Sequence, residues 1–183
     1  MENGLEWWAG QTAQRLAYQC NFTHDKNRRK LDGTYVGQNA YLGMSSRSDD
    51  LESIMNKMDV PVQAWYDEVT TYAFDPLDIK PFKFDYNAGH YTAVVWATSE
   101  ELGCGQVVYK EGDWYKNIVV CNYARGGNMV GSAMYEAGEP CSECPSGYSC
   151  EDSLCAKAWA DLVHLYLLIL LILASYNFLK INK

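Results

Sequence analysis

The sequence has little basic charge. It contains 15 Lys and Arg residues against 23 Asp and Glu residues, which gives a net charge of −8 over 183 residues. The one basic cluster, Arg28-Arg29-Lys30, is too short to follow a run of phosphates. We therefore expect no nucleic-acid partner.

The first ten residues lack the features of a signal peptide, since they hold neither a basic segment nor an apolar run. Other features predict an oxidising, extracellular compartment. Six of the seven cysteines follow residue 100, and Asn21-Phe22-Thr23 is an acceptor sequon for N-glycosylation at Asn21. A cysteine-rich chain without an entry signal predicts a truncated start.

Apolar periodicity predicts the first helices and strand. A helix of about four turns is expected from Leu5 to Cys20, and a short strand from Thr34 to Gly43. Asp59 followed by Pro61 is typical of a helix start. The apolar face of this second helix is predicted to contain Val62, Trp65, Tyr66, Val69 and Tyr72.

Two titratable residues fall on or beside apolar helical faces. Glu68 adjoins the stripe of the second helix, and a buried carboxylate is costly unless it is paired or liganded. In the helical stretch from Gly89 to Trp96, His90 shares a face with Val94 and Val95. Two simpler interpretations stay open: a Glu68 that reaches water, and a His90 that is a hydrogen-bonded core residue.

A β-hairpin is predicted after this helix. Strands over 104–109 and 117–121 flank a turn at Glu111-Gly112-Asp113. Cys104 and Cys121 would then lie on paired strands, close enough for a disulfide.

Four more cysteines lie within fifteen residues, at Cys141, Cys144, Cys150 and Cys155. Two disulfides stapling a small module are the simplest interpretation. The Cys141–Cys144 spacing also suggests zinc, but no histidine falls among the four cysteines and the composition favours oxidation.

The last feature is an apolar segment, Leu162–Leu179, of eighteen residues without formal charge. At about 1.5 Å per residue it could just span a hydrocarbon core of about 30 Å. The lysines at 180 and 183 favour a cytoplasmic end. A cleaved lipid-anchor signal is the rival interpretation.

Four ordered motifs resemble the CAP superfamily of cysteine-rich secretory, antigen 5 and pathogenesis-related proteins, also called the SCP domain. The motifs are Gly89-His90-Tyr91-Thr92 through Val95-Trp96, Cys121-Asn122-Tyr123 to Gly127-Asn128, Val36-Gly37-Gln38-Asn39, and Trp65-Tyr66-Asp67-Glu68. Gln38 and the Cys104-Gly105 context are most similar to invertebrate venom-allergen-like members.

The resemblance implies an α+β fold, a three-layer α-β-α sandwich with a central, mostly antiparallel sheet. This domain would cover residues 1–138, with the family's first helix missing. The remaining parts would be a cysteine-rich hinge (139–156), a linker (157–161), a transmembrane helix (162–179) and a short cytoplasmic tail (180–183).

The resemblance also implies a cavity lined by His24, Gln38, Glu68 and His90. In some members such residues hold a divalent metal, so zinc on His24 and His90 is a weak expectation. The amide of Gln38 replaces an acidic ligand, which lowers the expected affinity. No cofactor is expected to be required.

The family pattern further implies disulfides Cys141–Cys150 and Cys144–Cys155. It leaves Cys20 unpaired, because the positions of its partner hold Asn27 or Tyr109.

The implied function is non-enzymatic binding of a small lipid, a sterol rather than a fatty acid, at the aromatic loop from Phe74 to Tyr86. The protein would act in surface interaction or immune modulation, through a protein receptor, while tethered outside a plasma membrane. One alternative is a hydrolase, metal-assisted or not, with Glu68 as base beside His90. No serine or cysteine stands in a nucleophile motif, which argues against it. Another alternative is a scaffold with a vestigial cavity.

Overall fold

The computed structural model describes residues 3–47 and 57–157. The chain divides into two compact units, Met1–Tyr135 and Glu136–Lys183. The division falls close to residue 138, where the sequence predicts the end of the main domain.

The first unit is built on a three-stranded antiparallel sheet, which confirms the predicted sheet type. The strands are β1 (Val36–Ser45), β2 (Glu101–Glu111) and β3 (Trp114–Ala124), with β3 in the centre. The predicted hairpin is confirmed as β2–β3, and its strands are longer at both ends than expected. Cys104 lies opposite Cys121 in this register, and a disulfide joins them.

Helix α1 (Asn3–Ala17) ends three residues before the predicted end at Cys20. The N–H groups of Gln19 and Cys20 donate to carbonyls three residues back instead of four, and Cys20 has a φ of +52°. The chain therefore tightens into a turn after Ala17, a common way for a helix to end.

Among the described residues of the first unit, three short α-helices follow: α2 (Asp59–Tyr66), α3 (Glu68–Thr71) and α4 (Gly89–Val94). The predicted apolar face of the second helix was wrong in extent. Pro61 and Trp65, four residues apart, are buried, whereas Val62, Tyr66 and Tyr72 are between 41% and 50% exposed. The helix is interrupted at Asp67, so the stripe does not continue as one face.

Strand β3 separates two layers of helix, because its side chains alternate between the faces of the sheet. Ile118 and Val120 pack against Ala13, Leu16 and Ala17 of α1. On the opposite face the cluster contains Val119, Cys121 and Tyr123 together with Trp65 and Ala93, which come from α2 and α4. The first unit is thus the expected α-β-α arrangement.

The second unit contains the hairpin of β4 (Tyr148–Glu151) and β5 (Leu154–Lys157). Disulfides join Cys141 to Cys150 and Cys144 to Cys155, so these four cysteines are not zinc ligands. No helix within 3–47 and 57–157 is long and apolar enough to cross a membrane. The segment Leu162–Leu179, for which a membrane span is predicted, lies outside the described residues.

Candidate functional site

Strand β1 carries polar side chains toward both faces of the sheet. Gln38 and Asn39 are neighbours in the strand, so their side chains project in opposite directions. Both are buried, at 7% and 1% exposure. Each organises a separate hydrogen-bond network.

Gln38 connects His24 to helix α1. Its Oε1 accepts from His24 Nδ1 at 2.9 Å, and its Nε2 donates to Asn122 Oδ1 at 2.9 Å. Asn122 Nδ2 in turn donates to the Ala9 carbonyl at 3.2 Å and to Thr12 Oγ1 at 3.0 Å. Because Gln38 presents a carbonyl oxygen to the ring, His24 donates this hydrogen bond through the proton on Nδ1.

Glu68 holds the start of helix α4 on the other side of the sheet. Its Oε2 accepts from the backbone N–H groups of His90 and Tyr91 at 2.9 and 3.0 Å, and its Oε1 accepts from His90 Nδ1 at 2.7 Å. The first N–H groups of a helix have no partner within the helix, and a carboxylate there is also favoured by the helix dipole. Glu68 is thus paired, which is what its position beside an apolar stripe required.

The His90 ring lies between this carboxylate and Trp65. The Trp65 and His90 rings stack with centroids 6.2 Å apart and planes at 19°. The His90 side chain is 37% exposed and that of Glu68 is 15% exposed. With Nδ1 donating to Glu68, the nitrogen available for chemistry is His90 Nε2.

In this geometry both oxygens of Glu68 accept hydrogen bonds, and the carboxylate is a positioning group for His90. A role for Glu68 as a base stays a prediction of the sequence.

Two further amides fix the His90 segment. Asn39 Nδ2 donates to the His90 carbonyl at 3.0 Å and to Tyr123 Oη at 3.2 Å. Asn128 Nδ2 donates to the Gly89 carbonyl at 2.9 Å, while its Oδ1 accepts from Thr92 Oγ1 at 2.7 Å. Sequence reasoning assigned neither amide a role, although both lie within the motifs quoted above.

The tyrosines around this segment stay protonated. Burial raises the pKa of Tyr123, and the hydrogen bond from Asn39 opposes this only in part. Burial, with Tyr135 and Tyr66 nearby, raises the pKa of Tyr91 to about 12. Neither hydroxyl would supply an anion near neutral pH.

The structure does not bring the four predicted cavity residues together. His24 pairs with Gln38, whose partner Asn122 contacts α1, whereas Glu68 pairs with His90, whose carbonyl contacts Asn39. Gln38 and Asn39, which belong to these two networks, project to opposite faces of β1. Within the described residues no three His, Cys, Asp or Glu side chains are grouped to hold a metal ion. Zinc on His24 and His90 stays a prediction of the sequence.

Cys20 is exposed and forms no disulfide. Tyr109, at one of the positions where the resemblance places a partner cysteine, donates its Oη to the Cys20 carbonyl at 3.0 Å. The neighbouring Asn21, predicted to be glycosylated, lies exposed in the loop after α1.

The loop before α4 carries aromatic side chains from the core to the surface. Phe82 is fully buried, with its ring edge-to-face on Trp96 at a centroid distance of 5.0 Å. Phe84 contacts Phe82 at 6.4 Å and Tyr86 at 5.1 Å. Tyr86 is 92% exposed, and Leu77 in the same loop is 80% exposed. We call Leu77, Phe84 and Tyr86 the aromatic surface.

Comparison with known proteins identifies the fold family. Residues 3–123 match the family described as CAP, the cysteine-rich secretory protein family. The chain belongs to the CAP family.

One curated relative is Venom allergen 5 of Microctonus hyperodae, 40% identical over 124 residues, which are 67% of this chain and 51% of the relative. The chain spans about half or less of the length of the first curated relatives that it matches.

Two solved CAP structures are similar to this chain. BmVAL-1 superposes with a TM-score of 0.69 at 28% identity, covering 82% of this chain and 74% of that one. The crystal structure of NaASP2 with Zn2+ gives a TM-score of 0.58 at 32% identity, covering 81% of this chain and 73% of that one.

The family assignment sets the general expectation for the site. CAP homologues are secreted or extracellular, and CAP proteins are generally not enzymes and generally need no cofactor.

Proposed function

We propose that this CAP protein is an extracellular, non-enzymatic lipid-binding protein that takes a sterol at the aromatic surface. The observation that carries the proposal is the graded exposure of the loop before α4. Its rings run in contact from Phe82, at 0% exposure, through Phe84 to Tyr86, at 92%.

A sterol would suit the chemistry of this surface, because both are largely apolar and rigid. Its rigid rings would lie on exposed aromatic and aliphatic side chains that are anchored to the core, so little conformational entropy is lost on binding. The loop is also tied internally, since Lys83 N donates to the Asp78 carbonyl at 3.0 Å. A short aromatic surface suits a rigid ring system better than the long chain of a fatty acid.

The test is transfer of radiolabelled cholesterol from vesicles to the purified full chain. We expect saturable binding in the micromolar range, weakened about five- to tenfold in the Leu77→Ser/Tyr86→Ser variant because two apolar contacts are lost. The matched control is Tyr18→Ser/Leu154→Ser, which removes a Tyr and a Leu of similar exposure, 67% and 72%, elsewhere on the chain. Absence of binding at micromolar sterol, or an equal loss in the control, would rule the proposal out.

The alternative function is a hydrolase, and one feature of the geometry, the contact between His90 and Glu68, supports it. A histidine oriented by a carboxylate, as His90 is by Glu68 at 2.7 Å, can act as a general base through Nε2. Ester hydrolysis by the parent that disappears in His90→Gln, together with no cholesterol binding by the parent, would support this function over the first.

The proposed setting is a cell surface, where the sterol-binding domain would interact with a protein receptor or modulate an immune response. Attachment through Leu162–Leu179 stays a prediction of the sequence.

A further inference from the structure

A cleft of about 400 Å³ lies where the last turns of α1 meet the following loop. This volume suits a small molecule. The cleft is lined by Thr12, Arg15, Leu16, Gln19, Thr23, His24, Asp25 and Lys26.

The charge of this cleft is opposite in sign to that of the whole chain. Arg15 and Lys26 line it, and neither has an ion-pair partner within the described residues. The one carboxylate, Asp25, uses its Oδ1 to accept from the Asn27 N–H at 2.8 Å. Two cations against one anion leave a net positive charge in a chain that carries −8 overall.

At this cleft His24 is held in place by the chain of hydrogen bonds that runs through Gln38 to Asn122. Its Nδ1 donates to Gln38, which is 7% exposed and is fixed by Asn122, which is 4% exposed. The ring therefore has a set orientation and forms a fixed part of the cleft wall before a ligand arrives. Preorganised polar groups of this kind lower the cost of binding.

Leu16 adds an apolar contact to the polar wall, with only 8% of the residue exposed. A ligand with an anionic head and a small apolar body would satisfy both parts of the cleft. Inorganic ions would use only the charged part.

We propose that this cleft binds a small organic oxyanion, a carboxylate or a phosphate monoester, with Arg15 and Lys26 as its charged partners. The site uses no residue of the aromatic surface, so it does not depend on the proposed sterol function. The two ligand classes share one chemistry, oxygen atoms bearing negative charge beside an apolar group.

The test is a titration of the ¹⁵N-labelled full chain with benzoate and with phenyl phosphate, followed through the amide signals of residues 12–26. We expect saturable shifts with at least one anion, and none at the same concentrations of benzyl alcohol, which has the ring without the charge. Tighter binding of benzoate would identify the carboxylate class, and tighter binding of phenyl phosphate the phosphate class.

Charge variants separate a defined site from general attraction. Arg15→Gln/Lys26→Gln is expected to weaken binding at least fivefold, in the range that exposed charge pairs give. Lys57→Gln/Lys110→Gln removes the same total charge elsewhere and should bind like the parent; the spectra themselves report folding. The proposal is overturned by unsaturable shifts with both anions, by equal shifts with benzyl alcohol, or by equal losses in the two charge variants.

Discussion

At the scale of single residues, the hydrogen bonds of Glu68 explain why a mostly buried carboxylate occurs beside the start of α4. The carboxylate accepts two backbone N–H groups at the start of α4 and one ring N–H of His90. These three bonds set both the position of the helix and the orientation of the ring. The position of α4 and any chemistry at the His90 ring therefore both depend on the Glu68 side chain.

The Glu68→Gln variant is expected to lower the free energy of unfolding by about 1–3 kcal/mol, because an amide has one acceptor oxygen where three donors converge. Denaturant unfolding of the purified chain measures this loss. The exposed Glu139→Gln is the matched control and should unfold like the parent. A Glu68→Gln variant as stable as the parent would contradict the assigned role.

Glu68 and His90 could be identified from the sequence as candidate site residues, because both lie beside apolar positions with helical spacing. The sequence did not reveal the roles of Asn39 and Asn122, since a buried amide leaves no periodic signal. Nor did it separate the His24–Gln38 pair from the Glu68–His90 pair. That separation depends on which face of β1 each network reaches, and different segments supply its members: His24 comes from the loop before β1 and Glu68 from helix α3.

At the scale of elements, helix α1 packs on strand β2 at unusually short range. A Cβ at Gly103 would lie 2.2 Å from Gly10 N, and one at Gly105 would lie 2.3 Å from Gln14 Cα. The Gln14 amide completes the contact: its Nε2 donates to the Gln106 carbonyl at 2.7 Å, and its Oε1 accepts from Gln106 N at 3.0 Å. The single side-chain amide of Gln14 thus satisfies both backbone groups of Gln106 at the outer edge of β2, which protects an edge strand from pairing with another chain.

Gly105→Ala is expected to destabilise the first unit by about 3 kcal/mol, at the upper end of overpacking effects, because the clash is with backbone. Gly10→Ala lies on the same interface, but its Cβ would meet no atom closer than 3.7 Å. That control should be neutral or stabilising by up to about 1 kcal/mol, since alanine is the better helix former. Thermal unfolding of both variants measures the contrast, and equal effects would contradict the close packing.

Element boundaries show where local pattern stops being informative. The hairpin was predicted because alternation and the Gly112 turn agree. The extent of the second helix was not, because its aromatic residues look equally apolar whether they face the sheet or water. Tertiary contacts chose Trp65 for the core and left Tyr66 half-exposed.

At the scale of the whole molecule, the two units are stabilised by different means. The three buried apolar clusters found in the described residues are formed by residues of Met1–Tyr135 alone. The described part of the second unit has two disulfides within fifteen residues and one short hairpin. A piece too small for a core commonly depends on such crosslinks. The disulfides of the second unit could be predicted from the spacing of its cysteines. The apolar packing of the first unit leaves no comparable signal in the composition.

Replacing Cys141, Cys144, Cys150 and Cys155 by Ser should therefore unfold residues 141–157 and leave the first unit folded. Hydrogen exchange read peptide by peptide distinguishes the two, because protection should vanish only in the second unit. The reciprocal variant, Cys104→Ser/Cys121→Ser, opens a crosslink with a sequence separation of 17. It should lower the stability of the first unit by about 3 kcal/mol through loop entropy, while the hairpin of β4 and β5 keeps its protection. If the four-serine variant instead exchanged throughout the chain, the crosslinks of the second unit would be stabilising the whole molecule, and the two units would not be stabilised independently.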